Sequence, residues 1–180
     1  MREVAARGDA GLVVMHMRGT PKTMQEAPAY DDVVHEVEQE MMRMVTRLTT
    51  EGVEPGRICL DVGIGFGKNV IHNLALVQAT AHFAELGFPL MAAVSRKSFI
   101  GAMSAESIPA MRDRASALCA AFMVDQGARI VRVHDVATTR EMLRDSHRVV
   151  IGLGSNMGNS CEHIDDALAS MRLDPDIWVG

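Results

Sequence analysis

The chain has 180 residues, of which 48% are hydrophobic, and this is enough apolar material for one sizeable core. Its net charge of −5, with no basic run beyond Arg96 and Lys97, excludes the basic face that nucleic-acid binding requires. The longest apolar stretch, 117–124, is far shorter than the roughly 20 residues of a membrane helix, and the start of the chain has no signal-peptide core. We therefore expect a cytoplasmic protein that binds neither nucleic acid nor a membrane.

Short apolar runs alternate along the chain with longer stretches of helical periodicity. Each run is followed by a polar loop with glycine and then by a helix, which is the pattern of consecutive βα units around a parallel sheet. The predicted strands cover residues 11–15, 57–60, 90–94 and 128–133. The predicted helices cover residues 31–50, 70–86 and 112–125, with a last one that ends near residue 146.

The two ends of the chain read as parts of something longer. Residues 149–153 form a fifth predicted strand, which leads into the loop GSNMGNS and a helix over 162–171. The first nine residues read as the end of a helix whose own strand is absent. We expect one domain over 1–147 and the truncated start of a second over 148–180.

The polar motifs always come directly after a predicted strand. Because parallel strands end at one edge of a sheet, we expect these motifs to form a single site there. All three lysines of the chain, Lys22, Lys68 and Lys97, lie in these loops. A loop lysine that is merely solvated is the alternative for each.

The loop after the second strand, DVGIGFGKN, resembles no nucleotide-binding glycine motif. Val62 and Asn69 stand where the Walker pattern requires glycine and serine or threonine. A plain glycine turn remains possible. Asp61, however, ends a buried strand and needs a partner, which a heterocycle with adjacent N–H groups would supply. Phe66 would then stack on that ring or form one wall of the pocket.

Strand alternation in VRVHDV places Arg132 and His134 on one face, opposite the valines. An inward arginine at the end of a buried strand favours a phosphate-type ligand, with a salt bridge to Asp135 or another acid as the alternative. Lys97 lies just past the end of the third strand. This location fixes the position of its ammonium without burying the charge away from a partner. Met15 is either core or the wall of a flat apolar slot.

No metal site built from this chain is predicted. The three cysteines, Cys59, Cys119 and Cys161, are far apart and odd in number, so we expect buried free thiols. The seven histidines include no pair at helical spacing with a carboxylate between them.

Four motifs in order, MHMRGTPKTMQEAP (15–28), DVGIGFGKN (61–69), SRKSFIG (95–101) and RVHDV (132–136), closely resemble dihydropteroate synthase. The resemblance covers about residues 1–147. It implies an α/β fold that corresponds to the last four βα units of a TIM (β/α)8 barrel. It also implies the condensation of 6-hydroxymethyl-dihydropterin pyrophosphate with para-aminobenzoate to dihydropteroate.

The resemblance also implies a role for each candidate residue. Asp61 would bind the amino-pyrimidine edge of the pterin, and Lys97 would contact the ring and help to order the aminobenzoate. Met15 would line the pterin slot. The remaining implied contacts are Ser95 and Phe66 with the aminobenzoate and Arg132 and His134 with the pyrophosphate.

Further expectations follow from the family. Mg²⁺, held by a loop outside this chain, would assist the departure of pyrophosphate. The full-length form would be a homodimer. The tail VVIGLGSNMGN (149–159) resembles the start of hydroxymethyldihydropterin pyrophosphokinase, so we expect a bifunctional enzyme. We expect the 180-residue chain alone to be inactive. A pterin-binding methyltransferase and a non-catalytic half-barrel that assembles with another chain remain alternatives.

Overall fold

The computed structural model describes residues 8–144 and the backbone of a short strand at 150–152. Strands and helices alternate along the chain, as the sequence predicts. The strands are β1 (Leu12–Met15), β2 (Ile58–Asp61), β3 (Met91–Ala92), β4 (Ile130–Arg132) and β5 (Val150–Gly152). The helices are α1 (Val33–Thr50), α2 (Val70–Gln78), α3 (Thr80–Ala84), α4 (Ser98–Ser104), α5 (Asp113–Asp125) and α6 (Val136–Met142).

Helix α1 confirms the predicted helix at 31–50. Asp32 caps its first turn by accepting hydrogen bonds from the backbone N–H groups of Val34 and His35, both at 3.1 Å. Gly52, with φ of +96°, lies just beyond its end, in the conformation that commonly terminates helices. The buried face of this helix consists of Val33, Val37, Met41 and Val45.

Two helical predictions need correction. The helix predicted over 70–86 is divided between α2 and α3, where the buried Thr80 hydroxyl donates to the Val77 carbonyl at 2.6 Å. Such a bond from threonine to a preceding carbonyl distorts a helix. In addition, α4 begins inside the motif SRKSFIG, where the sequence pattern predicts only a loop, and Ala105 ends it in the left-handed conformation.

The strands pair in parallel. Met15 lies opposite Asp61 in the β1–β2 ladder, and Met91 lies opposite Ile130 in the β3–β4 ladder. A parallel bridge between Leu60 and Leu90 connects the two ladders. All these strands therefore end at the same edge.

Strand β5 pairs in parallel with β4, with Arg132 opposite Gly152. It confirms the strand predicted at 149–153 and extends the sheet beyond β4. The rest of the predicted second domain, including the motif that resembles a pyrophosphokinase, lies outside the described residues. That assignment stays a prediction.

The two faces of the sheet have different surroundings. Leu60, Leu90 and Val131 are at most 1% exposed and belong to the main core, together with buried side chains of α1, α2 and α5. On the opposite face, Cys59, Met91 and Ala93 form a smaller cluster with Ile130. Val13, on the same face of β1, is 51% exposed. Among the described residues, the helices therefore cover one face of the sheet only.

Two other sequence-based expectations can be compared with the structure. Cys59 is buried and Cys119 is half-buried, and both are free thiols, whereas Cys161 lies outside the described residues. Within the described part of the chain, none of the helices combines the length and the apolar character needed to cross a membrane.

Candidate active site

The predicted site residues lie at the carboxyl edge of the sheet. Met15 and Asp61 end neighbouring strands at the same level of the β1–β2 ladder. Ser95 follows β3 and is hydrogen-bonded to His134, which follows β4. The loops after all four strands therefore contribute to one edge.

Asp61 is a buried carboxyl group, with only 6% of its surface exposed. Its Oδ1 accepts a hydrogen bond from the Gly63 backbone N–H at 2.8 Å. Burial raises its pKa, whereas that hydrogen bond and the charges of Lys97, Lys68 and Arg132 act in the opposite direction. Asp61 forms no ion pair within 4 Å among residues 8–144, so its carboxylate can accept hydrogen bonds from a polar ligand.

Lys97 lies across the glycine loop, residues 63–67. Its Nζ is 4.0 Å from the centre of the Phe66 ring, at cation–π distance. Burial lowers the pKa of Lys97, and the carboxylate of Asp61 partly offsets this effect. The side chain is half-buried, so the alternative of a freely solvated loop lysine is wrong.

Ser95 orients His134. The His134 backbone N–H donates to Ser95 Oγ at 3.1 Å, and the same Oγ is 2.9 Å from His134 Nδ1. The Ser95 hydroxyl can donate its hydrogen to Nδ1, and in that tautomer Nε2 is the ring nitrogen that carries a hydrogen. His134 can therefore donate a hydrogen bond to an anion.

Arg132 and His134 share one face of β4 and its extension, as predicted. Both are exposed, whereas Val131 and Val133 are buried on the opposite face. Asp135 accepts hydrogen bonds from the Thr138 backbone and hydroxyl and so caps α6. Within residues 8–144, Arg132 takes part in no ion pair with a carboxylate within 4 Å, so its guanidinium can bind an anionic ligand.

The glycine loop is fixed by side chains from other segments. Three of its residues, Gly63, Gly65 and Gly67, have φ between +66° and +79°, which strongly favours glycine. Each of four carbonyl groups in the loop accepts a side-chain hydrogen bond. The bonds are Lys68 Nζ to Gly63 and Phe66 at 3.1 and 3.0 Å, Gln25 Nε2 to Gly65 at 2.6 Å, and the Tyr30 hydroxyl to Gly67 at 3.0 Å.

An arginine that holds the SRKS turn was not predicted from the sequence. Arg96 has φ of +58°, and its guanidinium binds both carboxylate oxygens of Asp113, at 2.7 and 2.8 Å. Its backbone N–H donates to the buried Ser116 hydroxyl at 3.0 Å. This double attachment to α5 fixes the backbone from which Lys97 projects. The only sequence signal is the adjacency of Arg96 to Lys97.

The buried side chains beneath the glycine loop were not predicted either. His16 and Lys68 are 1% and 3% exposed and are hydrogen-bonded to each other. His16 also binds Glu40 of α1, which binds Arg18. Strand alternation could have indicated His16, because it lies on the same face as the buried Val14 and a polar group there needs a partner.

The described residues contain no group of three or more His, Cys, Asp or Glu side chains that could hold a metal ion. The charged side chains at the carboxyl edge of the sheet are instead mainly cationic. Such an arrangement suits an anion, and it does not supply the oxygen ligands that Mg²⁺ prefers.

Comparison with known proteins identifies the class. A family model described as "Pterin binding enzyme" matches residues 1–134, and the chain belongs to this family. Curated relatives include dihydropteroate synthase of Escherichia coli K12, 43% identical over 142 residues, which are 79% of this chain and 50% of the relative. That of Neisseria meningitidis serogroup B is 44% identical over 144 residues, or 78% of this chain and 50% of the relative. The chain spans about half the length of the curated relatives it matches.

Solved structures agree with this family. The dihydropteroate synthase of Stenotrophomonas maltophilia superposes with a TM-score of 0.77 at 39% identity, over 80% of this chain and 54% of that one. The Thermus thermophilus enzyme in complex with 6HMPPP gives 0.76 at 39% identity, over 80% and 57% of the two chains. The same enzyme in complex with 4-aminobenzoate gives 0.76 at 39% identity, over 80% and 58%.

Proposed function

We propose that this chain forms the carboxyl-terminal half of a dihydropteroate synthase of folate biosynthesis. The enzyme joins 6-hydroxymethyl-7,8-dihydropterin pyrophosphate to para-aminobenzoate and releases dihydropteroate and pyrophosphate. The observation that carries the proposal is the meeting of Asp61, Lys97, Arg132 and the Ser95–His134 pair at one sheet edge. Relatives of this chain bind 6HMPPP and 4-aminobenzoate, which supports the same substrates here.

The proposed architecture is half of a (β/α)8 barrel. In the described part of the chain, helices cover one face of the parallel strands and a small apolar cluster lies on the other. This supports the proposal, because a closed barrel encloses that second face. The exposed Val13 would then be covered by the other half of the barrel.

The pterin would bind against Asp61 and Lys97. The carboxylate of Asp61 has the acceptor oxygens that the adjacent N–H groups of an amino-pyrimidine edge require. Lys97 lies over Phe66 and faces the same carboxylate, so its ammonium would contact the planar ring. Met15, in register with Asp61, would form one wall of the slot.

The pyrophosphate would bind at β4. Arg132 offers a planar set of donors and His134 offers Nε2–H, which together match the oxygens of a leaving pyrophosphate. During the reaction the bond between the pterin methylene and the pyrophosphate oxygen breaks, and the electron pair leaves with the oxygen. The aminobenzoate nitrogen then bonds to the methylene and releases a proton to water. The positive charge of Arg132 and the ring N–H of His134 would stabilise the charge that develops on the leaving group.

The aminobenzoate would lie between Phe66 and Ser95, with its nitrogen near the pterin methylene that it attacks. This part of the proposal rests on the placement of Phe66 beneath Lys97 and of Ser95 beside His134. The expected role of Mg²⁺ stays a prediction, because the described residues do not form a site for it.

A condensation assay tests the proposed function. The polypeptide should be the longest natural one that contains these residues, because the chain spans about half of its relatives. We expect pterin pyrophosphate and para-aminobenzoate to give dihydropteroate, and Arg132→Ala to lower kcat/KM on the order of tenfold to a thousandfold. Tight methyl-folate binding without turnover of these substrates would instead identify a methyltransferase.

The expected homodimer also has a structural basis. Large apolar side chains are exposed on α4, on α5 and on the segment between them: Met103, Ile108, Met111, Leu118 and Phe122. Leu118 and Phe122 are four residues apart on α5 and are 62% and 43% exposed. Exposed large apolar side chains that neighbour each other on a helix, as Leu118 and Phe122 do, are found at many protein interfaces.

We therefore expect Leu118→Glu to convert the full-length dimer to a monomer in size-exclusion chromatography with light scattering. Ile71→Glu is the matched control, because Ile71 is an equally apolar residue, 74% exposed, on α2. A Leu118→Glu protein that stays dimeric would exclude this surface as the interface.

A further inference from the structure

The proposed reaction leaves one buried cation without a role. Lys68 is 3% exposed, and its Nζ lies beneath the glycine loop. It has three acceptors: His16 Nδ1 at 2.9 Å, the Gly63 carbonyl at 3.1 Å and the Phe66 carbonyl at 3.0 Å. An ammonium has three N–H donors, so these partners satisfy it completely.

The partners of Lys68 define the state of His16. Because the ammonium donates to Nδ1, the ring must be neutral and must carry its hydrogen on Nε2, which is 2.9 Å from Glu40 Oε2. Burial, and then the charge of Lys68, lower the pKa of His16 to about 4. The other oxygen of Glu40 accepts from Arg18. Lys68 is thus anchored through a neutral histidine to helix α1.

The two carbonyl groups that Lys68 binds lie at the two ends of the turn from Gly63 to Phe66. The Phe66 N–H donates to the Gly63 carbonyl at 3.0 Å and closes this turn. The Gly63 N–H holds the Asp61 carboxylate, and the Phe66 ring lies under Lys97. The ammonium therefore fixes two peptide units of the loop. One orients Asp61, the candidate acceptor for the pterin, and the other carries Phe66, whose ring is a candidate stacking surface.

We propose that Lys68, held by His16 and Glu40, is a positioning residue that sets the orientation of Asp61 and Phe66 for the pterin substrate. The inference rests on the proposed function. Without the ammonium, the carbonyl groups of Gly63 and Phe66 lose a buried donor, and the turn loses the group around which it folds. A displacement of about 1 Å at a binding group can cost on the order of a hundredfold in activity.

The experiment is a double-mutant cycle in the longest natural polypeptide that contains these residues. The variants are Lys68→Met, Asp61→Asn and the pair, and the measurement is the affinity for 6-hydroxymethyl-dihydropterin pyrophosphate by calorimetry. We expect Lys68→Met to weaken binding on the order of tenfold to a hundredfold in the parent, and by much less when Asp61 is already asparagine. Lys22→Met, at an exposed lysine of the β1 loop, is the control and should bind as the parent does.

A purely structural role would give a different result. Unchanged affinity in Lys68→Met, or the same loss with and without the Asp61 carboxylate, would overturn the inference. If Lys68→Met does not fold, Lys68→Gln takes its place in the cycle. Its amide has two N–H donors for the three acceptors that the ammonium binds, so it should also weaken binding, less than Lys68→Met would, and again by much less when Asp61 is already asparagine.

A parent that does not bind the pterin would contradict the proposed function. Hydrogen exchange then tests the inference separately: the Gly63 and Phe66 amides should exchange at least about tenfold faster in the Lys68 variant. Equal exchange rates would overturn it.

Discussion

Replacing Lys97 by alanine is expected to lower kcat/KM for the proposed condensation on the order of tenfold to a thousandfold, in the longest natural polypeptide that contains these residues. The ammonium lies over the Phe66 ring and acts on the buried Asp61 carboxyl group. Its removal would eliminate the proposed donor to the substrate and one of the charges that lower the pKa of Asp61. Steady-state kinetics with both substrates measures the effect.

The same variant should change the pH profile. The positive charge of Lys97 lowers the pKa of Asp61, against the effect of burial, so the pKa of Asp61 rises when that charge is removed. The acid limb of kcat/KM should therefore move to higher pH in Lys97→Ala, if the ionised Asp61 binds the pterin.

Lys22→Ala is the matched control for this experiment. Lys22 is one of the three lysines of the chain and also lies in a strand-end loop, but it is exposed. Its loss should leave both the rate and the pH profile unchanged. Parent-like kinetics in Lys97→Ala would exclude Lys97 from the active site.

Replacing Gly63 by alanine is expected to have the largest effect on stability. Its φ of +70° is unfavourable for alanine, and a Cβ there would overlap the backbone carbonyl of His16. The left-handed conformation costs about 1–2 kcal/mol and the overlap about 1–3 kcal/mol, so the free energy of unfolding should fall by about 2–5 kcal/mol. Urea unfolding followed by circular dichroism measures the loss.

Gly56→Ala separates this effect from the general consequence of adding a methyl group. A Cβ at Gly56 would have no neighbour within 4 Å, and its φ lies outside the left-handed region. We expect this variant to stay within about 0.5 kcal/mol of the parent. Equal stability of the two variants would contradict the close packing of the glycine loop against the segment after β1.

The arrangement of the candidate site could be predicted because it follows from strand geometry. Alternation along β4 predicts that Arg132 and His134 share a face, and the structure confirms it. The parallel pairing of β1 with β2 likewise places Met15 beside Asp61. Neither result needs information beyond the local pattern and the direction of the strands.

The supporting interactions could not be predicted in the same way. His16 and Lys68 are 52 positions apart, and Ser95 and His134 are 39 apart. No local pattern specifies such pairs, because tertiary packing brings them together. The helix α4 was missed for a different reason: it is short and begins directly after the polar turn that contains Lys97.

The central claim is that Asp61, Lys97, Arg132 and His134 bind one planar, anion-bearing substrate at a common edge. A crystal structure of the longest natural polypeptide that contains these residues, with 6-hydroxymethyl-dihydropterin pyrophosphate bound, tests it most directly. We predict that the Asp61 carboxylate accepts hydrogen bonds from the amino-pyrimidine edge while Arg132 and His134 contact the pyrophosphate oxygens. A pterin bound elsewhere, or bound at this edge without contact to Asp61, would contradict the account.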